Sequence, residues 1–109
     1  MKKIILCAAG AMMLTGCSMT LPVQGATESG DETFTGSATG YSDGAGTLEL
    51  KSSRGLTCKG TFVYTNGREG AGTFTCSNGQ SGPFTFVSSG TRGTGTGRIG
   101  NRPFTFTFG

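Results

Sequence analysis

The chain has no histidine and no tryptophan, and only 14% of its 109 residues are charged. Without His, the usual base for a Ser or Cys nucleophile is missing, and so is the commonest nitrogen ligand for a transition metal. Carboxylates are also scarce: Glu28, Asp31, Glu32, Asp43 and Glu49 precede residue 50, and Glu69 alone follows it. Nothing in the spacing of Asp43 and Glu49 supports a paired-carboxylate hydrolase. Gly93-Thr94-Gly95-Thr96-Gly97 lacks the following Lys-Ser/Thr and helix that a phosphate cradle needs. The sequence therefore assigns no catalytic residue, no cofactor and no metal site. Residues 4 to 14 form an apolar run that is too short to span a bilayer.

What the chain does have begins at its amino terminus. Met1-Lys2-Lys3 is cationic, Ile4 to Leu14 is apolar, and Thr15-Gly16 supplies small residues, the three parts of an export signal. Cys17 follows Leu14-Thr15-Gly16 directly, and this stretch resembles the lipobox of bacterial lipoproteins. The resemblance implies a diacylglyceryl group on the Cys17 thiol, cleavage after residue 16 and acylation of the new amino terminus. Ser18, in place of Asp after that cysteine, implies passage to the outer membrane. Residues 1–16 are thus expected as a cleaved signal peptide and 17–32 as a lipidated flexible tether reaching about 20 Å. Residues 33–109 are left as the folded domain.

Residues 50 to 109 of that domain are basic, with Lys51, Arg54, Lys59, Arg68, Arg92, Arg98 and Arg102 against Glu69. Export argues against nucleic acid as a partner and leaves anionic surfaces of the envelope. Cys7 departs with the signal peptide and Cys17 carries lipid, so Cys58 and Cys76 remain as a pair in an oxidising compartment. A disulfide is expected. Closing that loop stabilises a small domain by about 3 kcal/mol in the chain-entropy model.

From Phe34 onward apolar residues fall on even numbers: Phe34, Leu48, Leu50, Cys58, Phe62, Tyr64, Phe74, Cys76, Phe84, Phe86, Phe104, Phe106 and Phe108. A period of two places them on one face of antiparallel strands, with a threonine-rich polar face opposite. A regular Thr array also suits an ice- or crystal-binding surface, but β-propensity alone accounts for it. Loop lengths fix the pairings. Ser53-Arg54-Gly55 predicts Leu50 opposite Cys58. Asn78-Gly79-Gln80 predicts Phe74 opposite Phe84. The two-residue loop Gly100-Asn101, with Gly first, predicts Gly97 facing Phe104 and Gly95 facing Phe106. Between Tyr64 and Glu69, loops of Thr65 to Gly67 or Asn66 to Arg68 put the cysteines diagonal or directly opposite.

The segments Gly44-Ala45-Gly46-Thr47, Gly70-Ala71-Gly72-Thr73 and Gly93-Thr94-Gly95-Thr96 open successive similar units. With Gly60-Thr61-Phe62, Gly67 and Phe74 to Gly79, the pattern resembles the MORN repeat. It departs from that family in having no Trp, in placing Cys58 and Cys76 where an aromatic is usual, and in carrying Gly67 two positions late. The resemblance implies a curved antiparallel meander that serves as a scaffold, not a catalyst. The expected fold is all-β, about seven short strands in a single curved sheet or small open barrel. An open sheet leaves its Phe face wet, which demands self-association or an envelope protein partner on that face or an edge strand. The expected role is therefore a lipid-anchored adaptor module of the envelope. The alternative is a module that binds an anionic or glycan ligand through Arg68 and Arg92, on turns at one end of the meander.

Overall fold

The computed structural model describes residues 18 to 109, which form an antiparallel meander closed into an eight-stranded barrel. The strands are β1 (Ser18–Thr27), β2 (Thr33–Tyr41), β3 (Ala45–Ser52), β4 (Thr57–Tyr64), β5 (Glu69–Cys76), β6 (Ser81–Ser89), β7 (Arg92–Ile99) and β8 (Arg102–Phe108). Each pairs with the next, and β1 closes the ring on β8 from Val23 opposite Phe108 to Thr27 opposite Phe104. The expected signal peptide and the lipidation candidate Cys17 lie outside the described residues.

Two expectations are corrected together. The stretch read as a tether is mostly strand, so the folded unit includes Ser18–Thr27 and does not begin at residue 33, and the sheet has eight strands rather than about seven. β1 does alternate, with Met19, Leu21 and Val23 spaced by Thr20, Pro22 and Gln24, but it does so on odd numbers. The loop Glu28 to Asp31, closed by Thr27 N donating to Glu32 O at 3.0 Å, has even length. It switches parity, so the odd side chains of β1 join the even side chains of the later strands.

Closure also replaces the open sheet, and glycine is the physical reason. A Cβ added at Gly46 would collide with the ring of Phe62, one at Gly95 with Phe106 and one at Gly97 with Phe104. Each ring lies on bare backbone of the neighbouring strand. The inner face is therefore narrower than the outer, and the sheet curls until its edges meet. The Phe face becomes an interior of buried Phe34, Phe62, Phe74, Phe84, Phe86, Phe104 and Phe106, joined by Val23, Leu48, Leu50 and Ile99. It no longer demands a covering partner.

Most of the registers follow the loop arithmetic. Ser52 N donates to Leu56 O at 2.9 Å around Gly55, whose φ is +85°, and Leu50 lies opposite Cys58. Gly100 opens the last hairpin at φ +63°, with Gly97 against Phe104 and Gly95 against Phe106. Of the two β4–β5 loops, Asn66 to Arg68 is adopted: Thr65 N donates to Glu69 O at 2.7 Å, and Cys58 sits directly opposite Cys76. Their sulfurs are bonded at 2.01 Å.

The β5–β6 hairpin differs from expectation. Cys76 N donates to Gln80 O at 2.7 Å, so the loop is Ser77-Asn78-Gly79, with Phe74 opposite Gly82 and Phe84 opposite Gly72. A three-residue hairpin takes its left-handed residue last. Gly79, at φ +90°, fills that place as Gly55 does in its own loop.

Candidate functional site

The two ends of the barrel are built differently. One end carries the loops β1–β2, β3–β4, β5–β6 and β7–β8, and it is sealed. Phe34, Phe74 and Phe104 pack there with ring centroids 5.8 and 5.4 Å apart. Ile99, Leu50 and the Cys58–Cys76 bridge fill the remaining space.

A polar plug overlies them. Arg102 Nη2 donates to Glu32 Oε1 at 2.8 Å, and the Glu32 carboxylate is fully buried. Arg54 pairs with Asp31 at 3.0 Å. The Thr27 and Ser29 hydroxyls each donate to Asp31 Oδ1 at 2.7 Å. Those two hydrogen bonds, assisted by Arg54 and Arg102, lower the Asp31 pKa from 3.8 to about 2. Burial pulls the Glu32 carboxyl upward, but the hydrogen bond and charge of Arg102 hold it below the usual carboxylate range. The sequence reading missed this cluster because Asp31 and Glu32 sit in the stretch read as tether.

The other end is open. A cavity of about 460 Å³ descends from the mouth, with Val23, Leu48, Phe62, Phe84, Phe86 and Phe106 at its depth. Its upper wall is Met19, Leu21, Ala38, Tyr64 and Phe108, with Tyr41, Ser42 and Asn66 at the rim, and no charged side chain lines it. The rings meet edge to face: Phe62 and Tyr64 each lie 5.2 Å from Phe86, and Phe86 lies 5.8 Å from Phe108.

The rim of the opening is uneven among the described residues. Ser18 to Leu21 pair with β2 but extend past the end of the β8 ladder, leaving a one-sided lip. Pro22 stands where that ladder stops; its carbonyl accepts from Gly109 N at 3.0 Å, and its missing N–H breaks no pairing. Met19, Leu21 and Val23 line the cavity, and sequence reasoning overlooked them. Their alternation on odd numbers was the available signal.

Arg68 and Arg92 both stand at the open end, exposed, on the β4–β5 and β6–β7 hairpins. Neither lines the cavity. Arg68 is turned toward β6, where its Nε donates to Ser88 O at 3.4 Å. Among the described residues no group of three or more Cys, Asp or Glu is placed to hold a metal ion.

The outer wall is polar. Thr20, Thr39, Thr47, Thr61 and Thr73 form one continuous rank across β1 to β5. It wraps five of eight strands, so it is strongly convex and does not match a flat crystal face. Charged Glu49, Lys51 and Lys59 also face outward while the Phe rings face inward. This polarity is the inverse of a membrane-spanning barrel.

No protein-family model and no curated protein matches the chain. Two solved structures share its fold. A redesigned β barrel, mFAP1, bound to DFHBI, superposes with a TM-score of 0.67 at 17% identity, covering 82% of this chain and 90% of that one. A second structure, a de novo designed fluorescence-activating β barrel, gives 0.64 at 15% identity, covering 82% and 88%. At such identity the likeness defines the fold class, a small closed antiparallel barrel, and nothing finer.

Proposed function

We propose that this protein is a lipid-anchored envelope protein whose barrel holds an apolar small molecule or hydrocarbon chain in its open-ended interior. The single observation that carries this reading is the uncharged cavity of about 460 Å³, walled by aromatic rings and open at one end only. Its size falls within the range of about 300 to 1,000 Å³ typical of small-molecule sites. The anchor is Cys17, after Leu14-Thr15-Gly16, and the location is the outer membrane, from Ser18. One of the two fold neighbours is described as bound to DFHBI, which agrees with a barrel of this fold accepting a guest.

The test uses the full chain with Cys17→Ser, purified without lipid, titrated with the apolar dye N-phenyl-1-naphthylamine. Saturable emission enhancement is expected, and Ala38→Phe, which places a ring in the upper cavity, should abolish it while leaving the fold intact. No saturable signal, or one indifferent to Ala38→Phe, would overturn the binding role. Acyl groups on Cys17 are checked by the mass of the mature amino-terminal peptide.

A second reading, recognition of an anionic or glycan ligand through Arg68 and Arg92, is favoured by their shared place at the open end. It predicts salt-sensitive binding of lipopolysaccharide that is lost in the Arg68→Ala, Arg92→Ala double variant. The adaptor reading has less support, because barrel closure hides the Phe face and leaves the Ser18 to Leu21 lip as the free strand edge among the described residues. Recovery of one specific envelope protein by in-cell cross-linking would restore it.

A further inference from the structure

Apolar side chains on the outside of the barrel are not scattered. The three large exposed hydrophobics among the described residues, Tyr41, Val63 and Val87, are 43%, 53% and 45% accessible. All three belong to the open end: Tyr41 is the last residue of β2, Val63 precedes the last residue of β4, and Val87 lies two before the end of β6. The outward rows of β3 to β5 form a gradient along the barrel axis. Nearest the mouth is Ala45-Val63-Ala71, next Thr47-Thr61-Thr73, then Glu49-Lys59-Thr75. The sealed end finishes in the ionic cluster of Asp31, Glu32, Arg54 and Arg102. Apolar residues of β2 to β6 thus form a collar along one side of the mouth, threonines girdle the middle, and the buried ion pair lies at the other end.

That is the polarity of a body seated at a water–hydrocarbon interface. Tyrosine, with an apolar ring and a polar tip, is enriched at such boundaries. The rim charges Asp43, Arg68, Glu69 and Arg92 stand at headgroup depth, where long basic side chains extend toward water. A second, independent observation points the same way. Cys17 is bonded directly to Ser18, the first residue of the lip, and consecutive α-carbons are about 3.8 Å apart. Ser18 itself pairs with Tyr41 at the mouth, so an acyl group on Cys17 is tied directly to that end.

We infer that the open end of the barrel is a membrane-docking surface, seated mouth-down on a lipid bilayer. The apolar collar dips into the boundary between headgroups and acyl chains, and the sealed, charged end faces water. This rests on the apolar-cavity reading and deepens it: the guest enters from the lipid phase, without crossing water.

The chain's lack of tryptophan gives a background-free test. Single reporters Tyr41→Trp and Val63→Trp at the collar are compared with Lys51→Trp near the sealed end, in the full chain expressed with lipobox processing. Each is reconstituted in phosphatidylcholine vesicles whose acyl chains are brominated. The collar reporters should shift to the blue and lose most of their emission, whereas the Lys51→Trp reporter keeps its solution spectrum. Equal quenching at both ends, or none at either, overturns the inference. A blue shift of the Tyr41→Trp reporter that appears without lipid and grows with protein concentration would instead identify mouth-to-mouth self-association, and also overturns it.

With Cys17→Ser the same contrast is expected at higher lipid concentration, so the outcome does not depend on acylation. Naphthylamine binding in lipid-free solution reports on the cavity separately. A protein that binds dye yet shows no difference between the reporters keeps the cavity reading and loses the docking one.

Discussion

The two ends of this barrel are made from the same repeating strands, yet one is a core and the other a container. At the sealed end the inward positions hold Phe34, Leu50, Phe74, Ile99, Phe104 and a disulfide, all mutually packed. At the open end they hold Met19, Leu21, Ala38, Tyr64 and Phe108, which are only partly buried. The difference teaches that alternation alone does not make a core. A ring of inward apolar side chains becomes a core where polar caps overlie it, and remains a cavity where its side chains do not meet across the barrel.

The comparison breaks most sharply on large-to-small substitutions. Phe104→Ala, at the centre of the sealed end, should cost about 3 to 5 kcal/mol, measured by urea denaturation. Leu21→Ala already borders empty space and should cost clearly less. Equal costs would mean that the open end is as tightly packed as the base.

Next comes the bridge. Replacing both Cys58 and Cys76 by Ala should cost about 3 kcal/mol, with Tm falling accordingly. Dye binding at the far end should persist where the variant stays folded.

The polar plug follows. Glu32→Gln weakens a buried hydrogen bond to Arg102, whose side chain is partly exposed, and should cost about 1 to 3 kcal/mol. Its pH signature has a definite sign. The Asp31 and Glu32 carboxyls both titrate below their ordinary values in the folded chain. Their stabilisation is therefore complete above about pH 5, and is lost as pH falls toward the Asp31 pKa of about 2. Thermal melts from about pH 6 down to about pH 2 should show this loss, and Asp31→Asn with Glu32→Gln should flatten it. An unchanged acid slope in the double variant would remove the plug from the account.

The smallest effect on folding belongs to the collar. Val63→Thr and Val87→Thr should shift stability by no more than about 0.5 kcal/mol, while reducing vesicle binding of the unlipidated chain.

How much of this was legible from residues alone varies with location. The hairpin at Gly100-Asn101 was readable because a two-residue loop with Gly first admits one geometry, and that geometry fixed Gly97 on Phe104. Ser53-Arg54-Gly55 was readable for the same reason. Ser77-Asn78-Gly79 was misplaced by one residue because Asn78-Gly79-Gln80 is equally plausible as a string of turn formers; only Phe84 lying on Gly72 separates the two registers. β1 escaped notice because its alternation is on odd numbers and is punctuated by Pro22 and Gly25. The Glu32–Arg102 pair, whose partners stand 70 positions apart in the chain, had no local signal at all.

What the sequence determined by itself is the strand: period-two alternation and turn glycines are local steric facts, decided within a hairpin. What only the tertiary structure decided is closure, and with it the cavity. The pairing of β1 with β8 joins the two ends of the described chain, and it becomes possible only after inward glycines across the whole sheet have summed their curvature. Residues as far apart as Leu21 and Phe108 line one cavity, a juxtaposition that no single stretch of sequence records.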